Sequence, residues 1–301
     1  MQSTLSSRDT YTRGIGLVAL AGTIWGTIGP ATQLIFSISA TTPLTVSFFR
    51  VLFAAPLLVL VCYYFMGART FRIQRRDLGI MLLIGATTAI SQVSYLVAIP
   101  LAGVTIPTLV GVCTVPLSTA IFSVLLRLEP FSRRVMLALV GAIIGTALVV
   151  GIQPGAELPR DLVSGVFFSL VSGVSHAVSI MGGRALARRA HPLQINMVSF
   201  STSALFLFGV ALLGGGFQMD IPVVGWLFIL YLGAVPTALA YGLFVAGMKT
   251  TPATIAGIIT LLEPLAAAIL AWIFFGERLT ALGIVGAALL LASIYILTRP
   301  E

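Results

Sequence analysis

The segment LEPLAAAILAWIFFGERLT, residues 262–280, has the pattern of a membrane-spanning helix that carries a carboxylate. The residues before it are also apolar from Ile255 onward, and an apolar run of this length is typical of a helix in lipid. Glu263 lies inside the run and is followed by Pro264, which has no backbone N–H to donate. A carboxylate at that depth costs several kcal/mol unless it is paired, protonated or hydrated.

The composition of the whole chain is that of a membrane protein. Of its 301 residues, 58% are hydrophobic and 9% are charged, whereas a typical soluble domain is about 25% charged. So few charged residues cannot cover a surface that faces water. The two cysteines, Cys62 and Cys113, lie in apolar runs and predict neither a disulfide framework nor a metal site. We expect no metal and no cofactor.

Apolar runs of about 17–25 residues predict ten membrane-spanning helices, because in lipid a spanning segment must satisfy its own backbone hydrogen bonds. The predicted spans are residues 14–36, 44–65, 78–98, 104–126, 135–152, 162–182, 193–213, 223–246, 252–275 and 281–298. The predicted fold class is therefore all-α and integral to the membrane. The connections between spans are short and leave no room for a soluble domain.

The basic residues predict how these spans are oriented. Of the 17 Lys and Arg residues, fourteen fall on the side of the membrane that holds the N-terminus, two on the other side, and Arg50 within a span. Cytoplasmic loops carry an excess of Lys and Arg, so both termini are predicted to be cytoplasmic. The net charge of +8 is then a consequence of topology, and no nucleic-acid partner is expected.

The two halves of the chain resemble each other at an offset of 148–151 residues, as in the pair Pro116 and Pro264. Each half contains five predicted spans, and an odd number means that the second copy enters the membrane from the opposite side. The sequence therefore predicts two inverted five-helix repeats, residues 1–152 and 153–301. Such repeats place the substrate site near the bilayer midplane, between the two copies.

Several short motifs resemble the EamA domain of the drug/metabolite transporter superfamily. They are LEP at 262–264 with GERLT at 276–280, Trp25-Gly26, and Thr42-Pro43-Leu44 with Phe49-Arg50. The resemblance covers essentially the whole chain as two EamA-like halves, and bacterial amino-acid exporters of the YddG type are the most similar group. It implies a secondary transporter of the bacterial inner membrane. It also implies a central cavity lined by spans 1–4 and 6–9, with spans 5 and 10 to the side.

The halves differ at one position that matters for mechanism. Val115 lies in the first half where the second half has Glu263. A carboxylate used symmetrically by both halves is therefore excluded.

Small residues on the fifth and tenth spans predict a close helix contact. Gly141 and Gly145 lie at GxxxG spacing in the fifth span, and Gly283 and Gly286 lie in the tenth. Small residues allow two helix backbones to approach closely in lipid. The contact joins either two spans of one chain or two protomers of a homodimer, and the sequence leaves both alternatives open.

Eight side chains within the spans are candidates for binding a small-molecule substrate. They are Trp25, Arg50, Ser91, Gln92, Tyr95, His176, Tyr241 and Glu263. Ser91 and Tyr95 share a helix face, and Trp25 and His176 occupy matching positions of the two halves, which places them across the cavity from each other. This mixture of aromatic, hydroxyl, amide and charged groups suits a small amphipathic solute.

The two charged candidates each allow more than one role. Arg50 either binds a substrate carboxylate or anchors its helix. Glu263 either couples protons, binds a substrate amine, or holds a kinked helix to its neighbours through the carbonyl of Thr260, and we expect its carboxyl to be largely neutral. A pair between Arg50 and Glu263 is a further option, although the helical rise of 1.5 Å per residue separates their depths by about 10 Å.

Prolines inside four spans are candidate hinges, because each leaves a backbone carbonyl without its helical partner. They are Pro30, Pro116, Pro236 and Pro264.

These features predict a transporter that exports amino acids or related small metabolites by alternating access. An exporter of drugs or other amphipathic metabolites is the alternative within the same class. An intramembrane enzyme is disfavoured, because two His, two Cys and one intramembrane acid supply neither an acidic metal cluster nor a nucleophile–base pair. A channel would carry a ring of repeated polar residues, and an ATP-driven pump would carry a P-loop; the sequence contains neither.

Overall fold

Helices make up all the regular structure in the described part of the chain. A computed structural model describes residues 2–102, 105–127, 132–150, 161–275 and 280–298. Its α-helices, numbered α1–α13 in chain order, are Gln2–Trp25, Ile28–Ile38, Pro43–Met66, Arg75–Ala102, Thr105–Leu125, Arg133–Val150, Leu162–Leu186, Pro192–Leu213, Val223–Leu232, Ala240–Gly247, Ala253–Ile259, Leu262–Phe275 and Ala281–Thr298. A 3-10 helix, Gly67–Phe71, follows α3, and a π-helix, Gly233–Leu239, joins α9 to α10. The predicted all-α class is confirmed for these residues.

Eight segments of the described chain are long and apolar enough to cross a membrane. They are Thr10–Ile38, Pro43–Phe71, Arg75–Ala98, Arg133–Val150, Leu162–Leu186, Pro192–Leu213, Val223–Gly247 and Ala253–Phe274. Two further apolar stretches, Leu109–Leu125 and Ala281–Leu297, are shorter. The chain is therefore a multi-pass membrane protein, and these segments lie where the ten spans were predicted.

Large apolar side chains cover the outer faces of the helices. Leu205, Leu213 and Phe274 are among the many that expose more than half of their surface. A soluble monomer rarely exposes apolar patches of this extent, whereas lipid covers them at no cost.

Local sequence fixes where several helices begin. The hydroxyl of Thr42 accepts the backbone N–H of Thr45 at 3.3 Å, and Pro43 occupies the first turn of α3. At the start of α7 the Asp161 carboxylate accepts the backbone N–H of Ser164 at 3.1 Å. Hydrogen bonds from Ser164 hold the pKa of the exposed Asp161 carboxyl below its usual range. These are N-caps of the ordinary kind.

Two of the predicted spans each consist of two α-helices separated by a short break. The first is interrupted between α1 and α2 at Gly26-Thr27, and the ninth between α11 and α12 at Thr260-Leu261. Gly26 and Thr260 each lie four residues before a proline, where the proline removes the N–H that their carbonyls would accept. At the second break the carbonyl of Thr260 instead accepts the backbone N–H of Glu263 at 2.9 Å.

The eighth predicted span is interrupted in a different way. Pro236 lies within the π-helix, and the hydroxyl of Thr237 donates to the Leu232 carbonyl at 2.7 Å, which replaces the lost backbone bond. Pro116, by contrast, lies inside the continuous helix α5. Three of the four candidate hinge prolines thus coincide with an interruption, and Pro116 does not.

The helices form one bundle with α6 and α13 at its side. The helix α4 packs on α7 and α8, α1 packs on α10, and α5 packs on α7 and α11. The helices α6 and α13 pack mainly against each other. Their contact is close, because a Cβ on Gly145 would lie 2.7 Å from the Gly286 carbonyl oxygen, and one on Gly286 would lie 2.6 Å from the Gly145 carbonyl oxygen. The glycine contact left open by the sequence is therefore within one chain.

Replacing Gly145 with alanine is expected to lower the melting temperature of the purified protein. The new Cβ would overlap backbone atoms of α13, which cannot move aside as a flexible side chain can. Overpacking of this kind costs about 1–3 kcal/mol. Gly209→Ala on α8 is the matched control, because nothing lies within 4 Å of a Cβ there. Equal melting temperatures for the two variants, measured by intrinsic fluorescence in detergent, would contradict the contact.

Candidate functional site

The interruptions of the first and eighth predicted spans meet inside the bundle. Trp25 is the last residue of α1, and its indole Nε1–H donates to the carbonyl of Pro236 in the π-helix at 2.9 Å. Tyr231 on α9 donates its hydroxyl to the hydroxyl of Thr27 at 2.9 Å. Side chains thus tie the break in one segment to the irregular turn of another, and the irregular backbone is packed within protein, where it is tolerated.

An aromatic cluster surrounds Trp25. The ring centroid of Trp25 lies 4.7 Å from that of Tyr241, 5.2 Å from that of Phe244 and 6.5 Å from that of His176. Phe200 of α8 lies 4.9 Å from Tyr241 in an edge-on arrangement. The structure therefore brings together three side chains selected from the sequence, Trp25, His176 and Tyr241. Trp25 and His176 are close neighbours instead of facing each other across an open space.

Arg50 and Glu263 approach the same region from two other helices. The backbone of Arg50 packs on the π-helix, where a Cβ on Gly233 would lie 2.7 Å from the Arg50 carbonyl oxygen. The backbone of Glu263 packs on the break after α1, where a Cβ on Gly26 would lie 2.8 Å from the Glu263 carbonyl oxygen. The separation of about 10 Å in depth counted residues along unbroken helices, and the segment α11–α12 is broken just before Glu263.

The side chains of Arg50 and Glu263 are not bonded to each other in the part of the chain that the structure describes. Within the described residues no ion pair of 4.0 Å or less joins Arg50 to Glu263. The Nε of Arg50 is buried and has no hydrogen-bond partner in this part of the chain. Both side chains keep part of their surface accessible, so a third group can reach them.

Glu263 lies at the N-terminal turn of α12. The N-terminus of a helix carries the positive end of its dipole, which attracts a carboxylate. The carbonyl of Thr260, which the sequence offered as a partner for the Glu263 side chain, is already occupied by the Glu263 backbone N–H. A carbonyl oxygen can accept two hydrogen bonds, and within the described residues none joins the Glu263 carboxyl to this one.

The remaining candidates lie on α4. Gln92 and Tyr95 are half-buried and continue the helix face of Ile84 and Thr88, at spacings of four and three residues. The Oε1 of Gln92 is buried without a partner among the described residues. Ser91 instead bonds Ser172 of α7, with their hydroxyl oxygens 3.1 Å apart, which gives it a packing contact between the two helices.

A small cavity borders the aromatic cluster. It encloses about 30 Å³ and is lined by side chains of α4, α7, α8 and α10, among them Thr88, His176, Ser179, Asn196 and Tyr241. That volume holds about two water molecules.

Four polar lining residues were not selected from the sequence: Thr88, Ser179, Asn196 and Ser199. A signal was present, because Asn196, Ser199 and Ser203 recur at spacings of three and four residues and form a polar stripe on the apolar helix α8. Without a view of the neighbouring helices, that stripe is indistinguishable from ordinary helix packing.

Arginine side chains link helices to one another at one end of the bundle. The guanidinium of Arg184 donates to the carbonyl of Met248, and that of Arg188 donates to the carbonyl of Lys249 at 3.2 Å. Both carbonyls lie just beyond the end of α10, where basic side chains are stabilising. At the same end Arg189 forms an ion pair with the buried Asp77 at 3.9 Å. The cavity lies in the half of the bundle nearest these contacts.

A multi-pass helical bundle whose interrupted helices meet beside buried charges has the architecture of a membrane transporter. The sequence profile of the EamA-like transporter family matches residues 12–151 and again residues 163–299. The chain therefore belongs to the EamA-like transporter family and is a membrane transporter.

Several curated transporters are similar over most of the chain. It is 26% identical to the uncharacterized transporter YwfM of Bacillus subtilis, over 93% of this chain and 92% of that protein. It is also 26% identical to the uncharacterized inner membrane transporter YicL of Salmonella typhimurium, over 95% of each. An uncharacterized transporter of Archaeoglobus fulgidus is 32% identical, but the match spans only 57% of this chain and 59% of that protein.

A solved crystal structure shares the fold. It aligns with a TM-score of 0.80 at 18% sequence identity, over 94% of this chain and 96% of the other.

Proposed function

We propose that this protein is a secondary transporter that exports amino acids or related small metabolites across the bacterial inner membrane by alternating access. The observation that carries the proposal is that Arg50 and Glu263, two partly exposed charged residues with no ion pair between them in the described part of the chain, both border the junction of the interrupted helices. An amino acid carries a carboxylate and an ammonium group on the same carbon. It can accept hydrogen bonds from Arg50 and donate them to Glu263 at the same time.

The aromatic cluster completes this site. Trp25, Tyr241 and Phe244 offer ring faces and edges to the apolar part of a substrate, and a ring face also attracts an ammonium group. The same cluster favours the second candidate function, export of drugs or other amphipathic metabolites, which needs aromatic surface and only one charge. We propose no enzymatic activity, no cofactor and no nucleic-acid partner; the partners are the substrate and the lipid bilayer.

The site lies within an architecture that we propose to contain ten spans in two inverted repeats, residues 1–152 and 153–301. The helix contacts support this, because most contacts have a counterpart in the other half. The helix α4 packs on α7 as α10 packs on α1, α5 packs on α7 as α12 packs on α1, and α4 packs on α8 as the π-helix packs on α3. The boundary at 152/153 and residues 276–279 of the GERLT motif lie outside the described residues.

We further propose that both termini are cytoplasmic, on the basis of the asymmetry of the basic residues. A single cysteine at Ser39 should react with an impermeant maleimide in intact cells, and one at Arg72 should react only after the membrane is permeabilised. The background protein should lack Cys62 and Cys113, the two natural thiols. Labelling at Arg72 with protection at Ser39 would reverse the assigned orientation.

Transport by the purified protein in liposomes tests the function. Counterflow of labelled amino acids and amines should be measured with and without an imposed pH gradient, with protein-free liposomes as the control. Exchange of at least one amino acid well above that control is expected. Transport of amines or cationic drugs, with no exchange of any amino acid, would favour the second candidate function.

A further inference from the structure

The cavity beside the aromatic cluster contains a hydrogen-bond donor without an acceptor. Asn196 of α8 exposes only 3% of its surface, and its Nδ2 has no hydrogen-bond partner in the described part of the chain. The residue forms part of the cavity wall. Buried polar groups are almost always hydrogen-bonded, so an unpaired amide at a cavity indicates that something else occupies the position of the acceptor.

Three hydroxyl groups of the cavity wall, those of Thr88, Ser179 and Ser199, have partners. The hydroxyl of Ser179 bonds those of Thr87 and Thr88, with oxygen separations of 2.7 and 3.2 Å. The hydroxyl of Ser199 donates to the carbonyl of Met81 at 3.0 Å. These groups therefore hold α4, α7 and α8 together. The amide of Asn196 is the group in the cavity wall that most needs a partner.

His176 is the second group that faces the cavity with hydrogen-bonding capacity to spare. The structure gives its imidazole a ring contact with Trp25 and, in the described residues, no hydrogen bond. His176 and Tyr241 line the cavity and also belong to the aromatic cluster. The cavity and the aromatic cluster therefore share these two side chains.

The volume of the cavity limits what can enter. A volume of about 30 Å³ holds about two waters, so the pocket in this conformation favours a short side chain over a long one. Ile84, Ile180 and Phe244 are among the apolar residues of the wall. A hydroxyl matches the two open groups, because it can accept from the Asn196 amide and donate to the imidazole of His176.

We propose that this cavity is the side-chain pocket of the substrate site, and that Asn196 determines specificity for amino acids with a short hydroxyl-bearing side chain. The inference rests on the proposed amino-acid transport. The substrate's carboxylate and amine lie toward Arg50 and Glu263, and its side-chain hydroxyl replaces the waters that fill the pocket when no substrate is bound. A site built to bond a hydroxyl discriminates strongly against an analogue that lacks it.

Competition between L-threonine and L-valine tests this, because the two differ by a hydroxyl in place of a methyl group. Each is used to inhibit counterflow of a labelled amino acid that the wild-type protein exchanges in liposomes. Threonine should inhibit at a concentration about tenfold lower than valine, or less. This measurement needs no variant, so it decides the question even if changes at Asn196 impair folding.

Two variants then assign the discrimination to Asn196. Asn196→Leu keeps the approximate size without hydrogen bonds and should bring the ratio to about one, mainly by weakening threonine. Ser203→Ala is the matched control, since Ser203 is a buried hydroxyl on the same helix that does not line the cavity, and it should leave the ratio unchanged.

The outcomes separate the two proposals. Exchange of amino acids with equal inhibition by threonine and valine, or with a ratio that Asn196→Leu leaves intact, overturns the role of the pocket and means that it holds water only. Absence of exchange for every amino acid overturns the proposed function and this inference with it.

Discussion

An Arg50→Gln protein is expected to fold, to insert, and to exchange amino acids about a hundredfold more slowly than wild type. Glutamine retains hydrogen-bond donors but has no charge for a substrate carboxylate. Charge-assisted hydrogen bonds are roughly twice as strong as neutral ones, and removing one partner of a buried charged pair costs about 2–5 kcal/mol. The initial rate of counterflow, at equal amounts of reconstituted protein, measures the loss.

The control for this variant is Arg76→Gln, which removes a charge from an exposed position at the start of α4. It should exchange substrate at nearly the wild-type rate. If Arg50 only anchors α3, Arg50→Gln will instead lower the melting temperature and leave the exchange rate per folded molecule unchanged. That result would contradict the role of Arg50 in binding the substrate, on which the proposed function depends.

The double variant with Glu263→Gln tests whether the two charges act on one substrate. Groups that bind the same molecule, or that interact with each other, show non-additive effects. We expect the double variant to lose less than the product of the two single losses. Simple multiplication of the losses would indicate that Arg50 and Glu263 act independently.

The bundle could be predicted from the sequence because lipid imposes strong rules on composition. Apolar runs found the positions of the helical segments, since the outer faces of these helices contact hydrocarbon. The matching positions of Trp25 and His176 in the two halves predicted two members of the aromatic cluster. Prolines marked the positions of three interruptions, since each removes a defined backbone hydrogen bond.

The site itself depends on geometry that a linear reading does not contain. Pro30 indicates an interruption of the run from 14 to 36, but the sequence does not show that Trp25, at the end of α1, bonds the carbonyl of Pro236 in the π-helix. The estimate that separated Arg50 from Glu263 by about 10 Å in depth assumed unbroken helices, and the sequence alone does not show the geometry of the break before α12. Asn196 was missed because a buried amide becomes informative only when its neighbours are known and fail to bond it.

The apolar segment 262–280 contains Glu263, the residue whose replacement should distinguish the possible mechanisms. Glu263→Gln keeps the size of the side chain and its hydrogen bonding, but it neither ionises nor pairs with an ammonium group. We expect the variant to fold and to lose about tenfold to hundredfold in amino-acid exchange. The loss should be confined to substrates with an amine, so a 2-hydroxy acid that competes for the wild-type site should compete equally well for the variant.

The alternatives for Glu263 give different results. A purely structural carboxyl predicts that Glu263→Gln exchanges amino acids normally and that Glu263→Leu lowers the melting temperature. A proton carrier predicts that Glu263→Gln exchanges substrate at wild-type rates without a gradient but no longer responds to a pH gradient that drives the wild type. Within the described residues the Glu263 carboxyl has no hydrogen bond to Thr260 and stays partly exposed, and we therefore propose that it faces the substrate. Unimpaired exchange by the glutamine variant, with or without a gradient response, would contradict that role.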